Sequence, residues 1–153
     1  MKTLVIYDSV FGNTKMIAEA ITLGLNEDAK ALHVSEATKD FEGIGLLIVG
    51  SPTRGFRPTP AITAFLKSIP AGKLDGIKIA AFDTRMDIKK VNNKFLTFMV
   101  KLSGYAVEKI EKQLIAKGGT SLGTEWFCVS ASEGPLLEGE TDRAASWAGG
   151  LVK

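Results

Sequence analysis

The residues of this 153-residue chain best equipped for chemistry lie in three polar stretches, each directly behind an apolar run. The first, Ser9-Val10-Phe11-Gly12-Asn13-Thr14, follows Leu4-Val5-Ile6-Tyr7 and leads into the helical pattern Met16-Ile17-Ala18-Glu19-Ala20-Ile21. A turn between strand and helix gathers backbone N–H groups, two hydroxyls and the positive end of a helix dipole, a setting that suits a phosphate dianion. Neither G-x-G-x-x-G nor G-x-x-x-x-G-K-[ST] occurs, which excludes the two commonest nucleotide turns. The same Ser, Gly and Asn also suit an ordinary turn and helix cap. The second stretch, Gly50-Ser51-Pro52-Thr53-Arg54-Gly55-Phe56, follows the apolar run Ile44 to Val49. Pro52 fixes the exit angle of the strand, Gly55 admits a close backbone approach, and Phe56 offers a stacking face among polar neighbours. The third, Asp83-Thr84-Arg85-Met86-Asp87, follows Ile77 to Phe82 and reads as a polar loop.

The elements that must position these stretches alternate from end to end. A helix is expected from about Thr14 to Leu25, a strand from Ala29 to Val34, and a brief linker or turn of helix at Thr38 to Phe41. The run Ile44 to Val49 is continuously apolar and short, the pattern of a parallel strand covered on both faces. Pro58 and Pro60 bracket the start of a helix carrying Ile62, Phe65, Leu66 and Ile69 on one face, and Pro70 and Gly72 stop it. After the strand Ile77 to Phe82, a helical pattern runs from Val91 to Lys117 with a break at Ser103-Gly104. Glu125 to Val129 reads as the last strand and Glu140 to Val152 as the closing helix. Five strands joined by crossovers imply an α/β fold, a doubly wound parallel sheet with helices on both faces. In such a sheet ligands bind beyond the carboxyl ends of the strands, where strand order reverses, and the three polar stretches meet there.

Strand, Ser-x-Phe-Gly-Asn-Thr and amphipathic helix together resemble the phosphate-binding loop of the flavodoxin family, whose usual pattern is Ser/Thr-x-Ser/Thr-Gly-Asn/Gln-Thr. Phe11 stands where that pattern has a hydroxyl, so backbone N–H groups must carry its share. The second stretch resembles the family's second flavin loop, and Ser132 to Glu140 resembles the segment before its final helix, read here as scaffold. The resemblance implies strand order 2-1-3-4-5 and FMN as cofactor. It also implies a binding set of Ser9, Val10, Phe11, Gly12, Asn13, Thr14, Pro52, Thr53, Arg54, Gly55, Phe56, Asp83, Thr84, Arg85 and Met86, with no catalytic residue assigned. Electron transfer to a redox partner protein or a small-molecule acceptor is the implied function, by a monomer or a homodimer. An FMN-dependent oxidoreductase acting on a quinone or porphyrinogen is the alternative, and a flavin-free α/β binding module a third.

Composition narrows these classes. With 45% apolar and 24% charged residues the chain is expected to be one globular domain over residues 1–153, large enough to bury a sizeable core. No stretch approaches a membrane span, and Met1-Lys2-Thr3-Leu4 enters a strand at once, so a cytoplasmic location is expected. Cys128 is the only cysteine, expected to be a buried inert thiol, and His33 is the only histidine, which excludes a His-rich metal site. A formal net charge of +2 and a pI of about 8.6 are too mild to argue for nucleic acid. They nonetheless set the chain apart from the acidic carriers of the flavodoxin family. The third stretch lacks Tyr and Trp, and Arg54, Arg57, Arg85, Lys89 and Lys90 are set against Asp83 and Asp87. Cations there would favour a reduced, anionic flavin, suiting two-electron transfer to a quinone-like or porphyrinogen-like molecule.

Overall fold

The computed structural model describes residues 1–25, 28–87 and 93–153. Its elements are β1 (Thr3–Tyr7), α1 (Asn13–Gly24), β2 (Ala29–His33), a 3-10 turn (Val34–Glu36), β3 (Leu46–Pro52), α2 (Pro60–Ser68), β4 (Lys78–Met86), α3 (Lys94–Ser103), α4 (Ala106–Ala116), β5 (Thr120–Val129) and α5 (Glu140–Leu151). The strands form one parallel sheet in the order β2-β1-β3-β4-β5, so the chain reverses direction across the sheet between β1 and β3.

Alternation along each strand builds two apolar layers. Leu4, Ile6, Leu47, Val49, Ile79 and Ala81 point to the face covered by α2 and α4. Val5, Tyr7, Leu46, Ile48, Ala80, Phe82 and Phe127 point to the face covered by α1 and α5. Gly50 is required where it stands, because a Cβ there would come within 2.0 Å of the Phe82 ring. At α2, Pro60 occupies the first turn, where its missing N–H costs nothing, and the Thr59 side chain accepts from the Ile62 amide at 3.4 Å.

Three sequence expectations are corrected. Asp83 to Met86 is not a loop: β4 runs on through it, paired with β5 as far as Met86 and Val129. The strand survives its polar residues because Asp83 and Arg85, two apart and so on one face, neutralise each other. β5 begins at Thr120 rather than Glu125, with a register shift opposite Ile79 and Ala80. Cys128 is half-buried, because Phe127 and Val129 take the buried positions and Cys128 alternates with them. Burial and the neighbouring Glu140 carboxylate push its thiol up from the ordinary value, which fits an inert thiol. The helix expected from Val91 is seen from Lys94, and Gly104, at φ 71, separates α3 from α4. Val91, Lys89 and Lys90 lie outside the described residues.

Candidate functional site

A cavity of about 530 Å³ opens at the carboxyl ends of β1, β3 and β4, beside the reversal point. Its volume lies within the range of small-molecule and cofactor pockets. All three polar stretches contribute to it: Val10, Phe11, Asn13 and Thr14 from the first, Pro52 to Phe56 from the second, and Thr84, Arg85 and Met86 from the third. Ser9, Gly12 and Asp83 are not on its wall and act behind it.

In the first turn, Gly12 adopts φ 92 and caps α1, a conformation that a side chain resists. The Ser9 hydroxyl accepts from the amides of Gly12 at 3.1 Å and Lys15 at 3.3 Å, so it shapes the turn. Asp8 in turn holds the Ser9 amide at 2.8 Å and His33 Nε2 at 3.1 Å. The Thr14 hydroxyl is buried against that of Thr84 at 2.8 Å, tying the helix start to β4. Asn13 donates through Nδ2 to the Glu133 carbonyl at 3.0 Å, which brings in the segment before α5. Among the described residues, the backbone N–H groups of Val10, Phe11, Asn13 and Thr14 have no acceptor in the protein. Four unpaired amides around a helix N-terminus form a concave donor array that fits a phosphate group.

In the second stretch, Arg54 and Arg57 exchange backbone hydrogen bonds at 2.8 and 3.1 Å, closing a tight turn over Gly55 and Phe56. Both central residues have positive φ, 55 for Gly55 and 65 for Phe56. Glycine takes this freely, whereas a phenylalanine there is strained by about 1 to 2 kcal/mol. The Phe56 carbonyl accepts from Lys109 Nζ at 2.5 Å, and the same ammonium donates to the Ser103 carbonyl at 2.6 Å. The Arg54 guanidinium lies 5.7 Å from the Phe11 ring centre, is exposed, and has no carboxylate partner among the described residues.

The third stretch differs most from expectation. Asp83 is fully buried and grips Arg85 through two hydrogen bonds of 2.7 Å each, while accepting from the Val107 amide at 3.0 Å. Burial pushes its carboxyl up from the usual range, and Arg85 pulls against that shift. Arg85 is itself only 10% exposed and lies 3.4 Å from the Tyr105 ring centre and 5.0 Å from that of Trp126. The missing aromatic is therefore supplied by Tyr105, between α3 and α4, which lines the cavity. Sequence reasoning missed Leu96, Val100, Tyr105, Val129, Ser132 and Glu133; the break at Ser103-Gly104, which turns the chain back over β4, was the signal that could have found Tyr105. Burial pushes the Tyr105 phenol up from its ordinary value, with the Arg85 charge opposing it. Phe56, Met86, Leu96, Val100 and Tyr105 give the cavity an apolar wall suited to a planar ring, next to the donor array.

The family model described as a flavodoxin domain matches residues 4–120. Among curated proteins no sequence matches the chain. Among solved structures, a flavodoxin from the domain Archaea is 20% identical and superposes with a TM-score of 0.74, over 99% of this chain and 96% of that one. The two-electron reduced flavodoxin of Megasphaera elsdenii is 19% identical with a TM-score of 0.69, over 97% and 98%. Rubredoxin oxygen:oxidoreductase from Desulfovibrio gigas is 18% identical with a TM-score of 0.71, matching 96% of this chain but 34% of its own length. The family match takes in the phosphate-type turn and both other cavity stretches, and membership implies FMN as cofactor. The chain belongs to the flavodoxin family.

Proposed function

We propose that this chain, acting as a single cytoplasmic domain over residues 1–153, binds FMN in the 530 Å³ cavity and transfers electrons through it. The observation that carries the reading is the set of unpaired amides at Val10, Phe11, Asn13 and Thr14, opening onto an apolar wall of ring-sized extent. These four amides hold the phosphate, and the dipole of α1 adds to their field. Phe11 costs the site little, because its backbone and not its side chain donates. Phe56 and Tyr105 flank the ring and exclude water from it, with Met86 as a polarizable contact. The bound cofactor supplies the electron chemistry, and the chain sets its potential through the charges it places on the cavity wall.

Those charges are unequal. Arg85 is neutralised by Asp83, whereas Arg54 is not neutralised by any described carboxylate. Arg54 therefore favours a second, two-electron reading, in which the acceptor is a quinone-like or porphyrinogen-like molecule. An anaerobic reductive titration of the FMN-loaded protein tests both readings. Stoichiometric binding with two well-separated one-electron steps supports a carrier working with a partner protein. Direct passage to fully reduced flavin supports two-electron chemistry. Failure to bind FMN overturns the assignment of the cavity.

A further inference from the structure

Helix α3 stands off the body of the protein. None of its residues is buried, and no helix or strand makes more than passing contact with it among the described residues. A helix in that position is expected to turn polar residues outward. Instead Phe95, Phe98 and Leu102, spaced to share one stripe, are 71%, 56% and 68% exposed. The only charged residues in α3 are Lys94 and Lys101, both exposed, and at i−4 and i+3 from Phe98 they flank that stripe. The opposite side of the helix, through Leu96 and Val100, lines the cavity. The stripe is therefore surplus to the cavity wall.

We infer that α3 is a docking ridge for a lipid bilayer carrying anionic headgroups. A short helix with aromatic and leucine side chains on one face and lysines beside them is built to lie in the interfacial plane, its apolar stripe sunk by about 5 to 10 Å. The charge favours this occupant over a second copy of the chain, because a two-fold pairing along the stripe sets Lys94 and Lys101 against their own counterparts. An exposed stripe on which no described helix or strand packs also suits a deformable surface better than a rigid one. No helix among the described residues is long and apolar enough to cross a membrane, so the contact is peripheral. Docked in this way, the cavity lies directly behind the ridge, next to the layer in which lipid-soluble molecules partition. The docking itself stands apart from the redox reading.

The test is flotation of the full-length, FMN-loaded protein with vesicles of phosphatidylcholine alone or of phosphatidylcholine with phosphatidylglycerol, together with sedimentation of the protein alone. Binding to the anionic vesicles and not to the neutral ones is expected. Lys94→Gln and Lys101→Gln should each weaken it about fivefold, and Phe98→Ser by more than about tenfold. The substituted side chains are exposed, so flavin absorbance and far-ultraviolet circular dichroism should not change. The inference is overturned by equal binding to both vesicle types, by binding that Phe98→Ser leaves intact, or by no binding, which would hand the ridge to an acidic protein partner. Concentration-dependent self-association that Phe98→Ser abolishes would assign the stripe to a homodimer and overturn it too. Vesicle binding is read identically with FMN removed, so failure here and failure of the redox reading are distinguishable.

Discussion

Arg54→Ala should lower the potential at which the bound flavin takes its second electron. The side chain lines the cavity, lacks a carboxylate partner among the described residues and is exposed, so its field is screened by water. For a cation roughly 4 to 8 Å from the cavity's occupant at a dielectric near that of water, the interaction with one added negative charge is about 0.5 to 1 kcal/mol. For a one-electron step that corresponds to about 20 to 45 mV. Arg85 cannot serve as the comparison, because removing it strands the buried Asp83 carboxylate. The assay is a spectroelectrochemical titration of both proteins at about 10 mM salt, where the screening length is about 30 Å, and again at about 150 mM, where it falls to about 8 Å. The difference should shrink at the higher salt. A potential unchanged at low salt, or shifted upward, would refute the assignment of Arg54 as the charge that tunes the site.

Three other substitutions probe the framework. Asp83→Asn should destabilise the fold by about 3 to 5 kcal/mol in denaturant titration, because it leaves the guanidinium of Arg85 buried without its counter-charge. Phe56→Gly should leave the apoprotein as stable or raise its stability by up to about 1 kcal/mol, since glycine accepts φ 65 freely, while weakening FMN binding measured by fluorescence quenching. Glu140 accepts from the Cys128 amide at 2.6 Å and from Arg143 Nε and Nη2 at 2.9 Å each; burial pushes its pKa up, but these contacts prevail and hold the carboxyl below its ordinary value of 4.5. Its contribution is therefore present above that value and lost as pH falls through the lower, folded one. Glu140→Gln should cost about 1 kcal/mol at pH 7, or 2 to 4 °C in Tm, and the gap to the wild type should narrow in melts as the pH is taken progressively below 4.5.

The sheet order and the position of the cavity were legible because they depend on patterns that sequence carries directly. Runs such as Leu46 to Val49 are apolar throughout since both faces of a central parallel strand are covered. The turn Ser9 to Thr14 was legible for a related reason, as its work is done by backbone and by small residues at fixed spacing. Asp83 to Met86 was misread because sequence displays the polarity of each residue but not its neutralisation. Asp and Arg two residues apart are ordinary in a loop, and only the covering by Tyr105 and Val107 makes them a buried pair within a strand. Tyr105 itself escaped notice because it lies beyond a helix from the strand it covers. The strain at Phe56 was likewise invisible, since any residue can follow a glycine in a turn and φ is not written in a residue's name.

The ammonium of Lys109 joins two segments beside the cavity: it donates to the carbonyl of Phe56 at the tip of the second stretch and to that of Ser103 at the end of α3. One cation shared between two separate segments behaves as a latch. The Thr53 hydroxyl, accepting from the Ala106 amide at 3.2 Å, adds a second tie between the same stretch and the start of α4. One side chain on α4, itself outside the cavity wall, thereby couples the position of the Phe56 turn to that of the end of α3.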